Sequence, residues 1–158
     1  MSSLAFPLQV NVGTAGTGVS AADGTAGGGS SVIQSNGGGA IIVACTGGDG
    51  GTTMAPGTTL GTSAAGGAGG VGTTGDLLIE GGDGNRATRY AATVSSAGYG
   101  GSNVLGVSQS EGPNNADGRT AGTNGYGAGG SGARNGASQV ARAGGDGVSG
   151  IVIVTVLY

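Results

Sequence analysis

Glycine falls at every third position in patches along this chain, and that spacing limits the possible folds more than any other feature. The patches read Gly66, Gly69, Gly72, Gly75 and Gly144, Gly147, Gly150, with the pairs Gly13/Gly16, Gly24/Gly27, Gly122/Gly125 and Gly129/Gly132. Glycine loses more backbone entropy on folding than any other residue and brings no side chain to bury. With 42 glycines among 158 residues, no helix of ordinary length survives. Such a chain is stable only if its backbones pack closely and hydrogen-bond to one another. Glycine-rich segments of polyproline-II type, three residues per turn and lying side by side with glycine on the crowded face, meet that demand. Collagen is excluded, because no strict Gly-X-Y period persists and there are only three prolines. The competing reading is a set of flexible Gly/Ser/Thr linkers, but linkers rarely alternate with strands at regular intervals.

A Gly-Gly-Asp-Gly tetrad stands beside an apolar run three times: AIIVACTGGDGG at residues 40–51, DLLIEGGDGN at 76–85 and GGDGVSGIVIVTVLY at 144–158. The last is the strongest strand signal, apolar at nearly every position from Ile151 to Tyr158 and broken only by Thr155. Such a run predicts a strand covered on both faces. Further strands are expected at residues 40–45 and 76–80. Near the start, Leu8, Val10 and Val12 alternate with Gln9 and Asn11, the period of a half-buried strand, and Pro7 places it at an edge or a strand start. Turns are expected at Asn36 to Gly39 and at Pro56-Gly57.

Leu, Ile, Val and Phe make up fewer than a fifth of the residues, which in a highly charged chain would signal disorder. Here only 8% of residues are charged and the formal net charge is −3. Clustered apolar runs with so little charge do not match self-repelling disorder. The length suits one domain, divided into an N-terminal strand and assembly segment (residues 1–12) and a glycine-rich β domain (13–158). The chain starts at Met1 and reads as complete, with no secretory signal and no apolar run of membrane-spanning length. The predicted class is all-β and helix-poor, combining strands, polyproline-II-like segments and long loops. The shortage of large apolar side chains makes oligomerisation the expected means of completing the core.

The inventory of chemistry is mostly negative. The chain has no histidine, no lysine and one cysteine, so zinc clusters, Ser-His-Asp or Cys-His constellations and Schiff-base chemistry lack their parts. Cys45, within an apolar strand, reads as a buried small hydrophobe, and Glu80 and Glu111 have nothing in sequence to pair them. No enzyme activity and no cofactor are expected. A parallel β-roll wound around calcium needs an aspartate two residues beyond each tetrad, where Thr52, Arg86 and Ser149 stand instead. A phosphate-cradling loop needs a following helix or a lysine. The tetrads therefore read as turns with positive φ, the aspartate capping local N–H groups.

Most of the charge lies between Asn85 and Ala143, together with three of the four tyrosines. Guanidinium groups beside aromatic rings suit single-stranded nucleic acid, but five cations in a net-negative chain do not make a phosphate-tracking groove. Tyr, Asn, Ser and Gly are instead the materials of an adaptable recognition surface. The candidate binding residues are Arg86, Arg89, Tyr90, Tyr99, Arg119, Tyr126 and Arg134, on loops around residues 90–106 and 114–136. Tyr99 and Tyr126 are flanked by glycines, and each ring either buries against another segment, the favoured reading, or faces a ligand.

The succession of an opening strand, IIVACTGGDGG, the glycine patch leading to GDLLIEGGDG, the tyrosine-bearing glycine loops and the terminal GGDGVSGIVIVTVLY resembles the glycine-rich C-terminal domains of bacteriophage tail fibres and the glycine-rich tail-fibre adhesins. The resemblance covers the chain from about residue 13 onward. It implies a virion location, a homotrimer, contacts with other virion proteins, and variable loops that bind a receptor or glycan on the host surface. Neither nucleic-acid binding nor membrane insertion is expected. The chain departs from that group in lacking a shaft, a coiled coil or a long attachment domain, so residues 1–12 are the expected means of assembly. Two functions follow: an adhesin or tip subunit, or a purely structural virion protein (a capsid decoration or fibre subunit) acting through self-association. Ice binding by flat threonine-bearing faces is a weaker third, since the pairs Thr52/Thr53, Thr58/Thr59 and Thr73/Thr74 lack regular spacing.

Overall fold

The computed structural model describes residues 7–35, 39–54, 57–91, 94–109, 116–121, 126–135 and 140–155. The chain is all-β, with no helix among these residues. Among the described residues seven short strands form two antiparallel sheets. β1 (Leu8–Asn11), β2 (Ser30–Gln34), β3 (Ala40–Cys45) and β5 (Gly72–Thr74) make the first sheet in the order β1-β2-β3-β5. β4 (Ser63–Ala64), β6 (Ala87–Ala91) and β7 (Val94–Ser96) make the second, in the order β4-β6-β7. β3 coincides with the apolar run of residues 40–45, and β1 with the alternating stretch.

Between the sheets, nine extended glycine-rich segments occur among the described residues: 13–18, 24–29, 46–52, 65–71, 81–85, 98–102, 116–121, 127–134 and 143–150. Their hydrogen bonds repeat every third residue. In the second segment, Gly24 and Gly27 donate to Gly51 and Gly48 of the third at 3.0 and 2.9 Å, while Thr25 and Gly28 donate to Thr17 and Thr14 of the first at 3.0 and 2.9 Å. In the fifth, Gly81 and Gly84 donate to the fourth, and Gly82 and Asn85 to the sixth. Residues i and i+3 thus point to one neighbour and i+1 to another, which is the rotation of a backbone with three residues per turn. A chain so wound has no internal hydrogen bonds, so its N–H groups must find partners on adjacent segments.

Followed round, these bonds close a ring. The first segment pairs with the second, and pairing continues through the third, fourth, fifth, sixth, eighth and ninth; the ninth returns to the first through Gly147 N–H to Gly16 O (3.0 Å) and Gly150 N–H to Gly13 O (3.2 Å). The seventh segment lies outside, bonded to the eighth and ninth. Closure leaves the eight-segment ring without a free edge, as it does for a barrel. The ring surrounds an open cavity of about 540 Å³, walled by all eight ring segments and by none of residues 116–121.

The first sheet prolongs the first four segments at one end of the ring; the second sheet caps the other end, continuing from the fourth, fifth and sixth. Large side chains contribute little to the interior. The buried apolar residues are Val32, Ala64, Ala97, Ala121 and Ala128, joined by Ser30, Ser95, Ser131 and Arg89. Backbone contact takes the place of a side-chain core. A Cβ on Gly66 would sit inside the Gly84 carbonyl, and one on Gly69 inside that of Gly81, so the three-residue glycine spacing is the mark of the ring contacts.

Several expectations are corrected. The tetrads are not positive-φ turns: among the described residues positive φ falls at Ala21, Gly39, Gly61, Gly75 and Gly127, and the tetrads are ring segments. Two of their three aspartates act across segments. Asp83 Oδ1 accepts the Gly69 N–H and Asp146 Oδ1 the Gly18 N–H, both at 2.8 Å. Asp83→Ala and Asp146→Ala are each expected to lower stability by about 0.5–1.5 kcal/mol, with Asn at either position largely restoring it, as read by urea unfolding. Residues 76–80 form no strand, because the chain bends from Gly75 (φ +134°) through Leu77 to reach the fifth segment, and Leu78 packs where a Cβ on Gly72 would lie. Residues 151–155 carry the strongest strand signal but pair with no strand, since a ladder requires a partner as well as suitable side chains. Cys45 is exposed rather than buried. Residues 36–38, Pro56, Glu111, Gly122, Gly125 and residues 156–158 lie outside the described residues.

Candidate recognition surface

The second sheet is built on polar alternation. Along β6, Thr88 and Arg89 take opposite faces and pair with Ser96 and Ser95 of β7, and a β-bulge follows at Tyr90, so that Ala91 pairs with Val94. Arg89 is turned inward and is 2% exposed. Its Nη1 lies 3.3 Å from Thr62 Oγ1, and its backbone exchanges bonds with the 61–62 strand entry, Gly61 N–H donating to Arg89 O and Arg89 N–H to Thr62 O, both at 3.0 Å. Opposite Arg89 in the ladder stands Ser95, which is buried and donates through Oγ to Asn135 O at 3.1 Å. Arg134 Nε donates to Ser95 O at 2.9 Å. Two of the candidate residues, Arg89 and Arg134, therefore converge on Ser95 and tie the second sheet to the eighth ring segment. Their part is to position.

The outer face carries Arg86, exposed just before β6, then Thr88, and Tyr90 at the bulge. Tyr90 is 64% exposed. Thr88 pairs with Ser96 of β7, and Val94 is also exposed beside them. A ring, a guanidinium and hydroxyls thus share one small face, fixed from behind by the buried arginine.

The other candidates lie elsewhere. Tyr99 sits in the sixth segment, 41% exposed, with its carbonyl taken by Asn85 N–H (2.9 Å). Arg119 is exposed on the seventh segment, which is held by Ser131 N–H to Arg119 O (2.9 Å) and Arg119 N–H to Ser131 Oγ (2.8 Å). Tyr126 is at the first-sheet end, 42% exposed, with its carbonyl bonded by Asn103 Nδ2 at 2.9 Å. Burial of the glycine-flanked tyrosines is thus corrected: both residues are exposed, because the ring cavity that they help to line is open to solvent.

Sequence reasoning left Arg142 out of the site. It enters the ninth segment beside the Ser20–Ala143 bridge, at the second-sheet end, half-buried and with Nε shielded. Four of the five arginines, 86, 89, 134 and 142, thereby gather at one end of the ring. The sequence signal for this was β-propensity in ATRYA, hidden because the inward residues of β6 and β7 are Arg89 and Ser95 rather than apolar. At the first-sheet end the charged residues among those described are Asp76 and Glu80. Among the described residues no cluster of three or more His, Cys, Asp or Glu is placed to hold a metal ion, and no helix is long and apolar enough to cross a membrane. No protein-family model, curated protein or solved structure matches this chain.

Proposed function

We propose that this chain is a non-enzymatic virion component of the tail-fibre tip or adhesin type, in which the second-sheet end touches a receptor or glycan on the host surface. The observation that carries the reading is the outer face of β6. Tyr90 and Arg86 stand exposed on a short sheet locked by Arg89 and Arg134 to a closed hydrogen-bonded ring. An aromatic platform and a cation on a pre-organised support bind with little ordering cost. The resemblance to glycine-rich tail-fibre domains supplies the virion context.

Labelled protein is expected to bind saturably to bacterial cells or to outer-membrane vesicles carrying their native glycans. Because both side chains lie on the surface, the pair Arg86→Ala and Tyr90→Ala should change unfolding stability by less than about 0.5 kcal/mol while weakening binding roughly tenfold or more. Full binding by the double variant would remove these residues from the contact. Absence of binding across a broad panel of bacterial surfaces would count against the adhesin reading itself. A purely structural virion role is the second reading, and it is favoured by the open apolar end described next.

A further inference from the structure

The end of the ring opposite the arginines is apolar and unfinished. Val10, Val43, Leu77, Val104, Ile153 and Val154 are all exposed there, Leu77 at 79% and Ile153 at 70%. The first sheet offers β1 as an open edge. Residues 151–155 run past this sheet without a backbone hydrogen bond. Between Ile151, Val152 and Ile153 on one side and Val32 and Val43 on the other lies an unfilled cleft of about 200 Å³. Monomeric proteins rarely leave contiguous apolar patches of this kind in water.

We infer that this end is an interface with further copies of the same chain. A partner must supply apolar surface and strand-pairing backbone, because the patch presents both and offers no arginine to an anionic ligand. The chain itself carries that complement at the same end: β1, an edge strand among the described residues, and a β-branched run at residues 151–155 whose backbone makes no hydrogen bond to a described residue. In a closed symmetric assembly each copy presents the same patch to the next, so the edge of one meets the run of another and the backbone groups pair as in strand addition. Asp76 and Glu80, at this end, disfavour arrangements that bring them face to face and so restrict how the copies rotate. Assembly here leaves Arg86 and Tyr90 free at the far end. Self-association through the apolar end and host binding through β6 stand or fall separately.

The test is sedimentation equilibrium on the purified full chain at about 50 µM, a concentration at which an obligate assembly is populated. The wild type is expected to show one closed oligomer, and the notably exposed positions supply the variants. Leu77→Asp and Ile153→Asp should each weaken association roughly a hundredfold while amide protection in the ring stays as in the wild type. Tyr90→Asp, at the other end, should leave the oligomer intact. A wild type that is a folded monomer at this concentration overturns the inference. So does an oligomer that survives both apolar-end variants, or one that Tyr90→Asp dissociates.

Discussion

Gly50→Ala is expected to destabilise the protein by about 3 kcal/mol or more, at the upper end of overpacking costs, whereas Gly51→Ala, one residue on, should change stability by less than about 1 kcal/mol. The two glycines belong to the same ring segment and differ only in what faces them. A Cβ on Gly50 would fall inside the carbonyl of Gly24 and 2.8 Å from its Cα. Those atoms belong to the backbone of the second segment, which is itself fixed by bonds from Gly24 to Gly51 and from Gly27 to Gly48. Nothing flexible is available to yield. A Cβ on Gly51 would meet Ala65 O at 3.5 Å and Gly67 N at 3.7 Å, which is ordinary contact, and the reduced freedom of alanine in the unfolded chain then offsets part of any cost. Thermal and urea unfolding of the pair measure the contrast. Equal tolerance of both substitutions would mean that the segments are not in backbone contact.

Arg89→Ala should lower stability by about 2–4 kcal/mol, the range for removing a large buried side chain. The second sheet has no apolar core of its own, and Arg89 fills that place: its stem is buried, its Nη1 reaches Thr62 Oγ1, and Nη1 lies 3.2 Å from where a Cβ on Gly57 would be. Arg89→Lys restores the charge but not the planar fork of donors, so it should recover only part of the loss. Because Tyr90 follows Arg89 directly in β6, Arg89→Ala is also expected to weaken the proposed host binding without any contact of its own. Urea unfolding is the direct check, and a change below about 0.5 kcal/mol would show that Arg89 does not hold the sheet.

The architecture was legible where glycine spacing and apolar runs carry the information. Gly66 and Gly69, three apart, meet Gly84 and Gly81 of the adjacent segment, and the run 40–45 is β3 as expected. The parts that sequence did not show depend on long-range pairing. Closure of the ring joins residues 147 and 150 to 16 and 13, which no local pattern encodes. The tetrads suggest turns because Asp-Gly is common in turns, yet here Asp83 and Asp146 reach across to other segments. The run at 151–155 has strand chemistry without a strand beside it. For the site, Arg86 and Tyr90 were identifiable as a cation and a ring in one stretch, but the separation of Arg89 to the inside follows from the two-residue alternation of a strand whose polar interior disguised it. Tyr126 belongs to the opposite end, a placement fixed by the antiparallel course of the eighth segment.

The central claim is that the glycine-rich segments form an ordered ring rather than a set of linkers, and residue-resolved amide hydrogen exchange tests it most directly. Protection is expected at the ring donors, including Gly24, Gly27, Asp49, Thr52, Gly84, Gly129, Gly147 and Gly150, recurring at three-residue steps within each segment. Linked slowing at Gly147 and Gly150 would establish closure between the two ends of the ring. Uniformly fast exchange through residues 13–29, 46–52, 65–71 and 143–150 would contradict the ring, and with it the support on which both the recognition face and the apolar end depend.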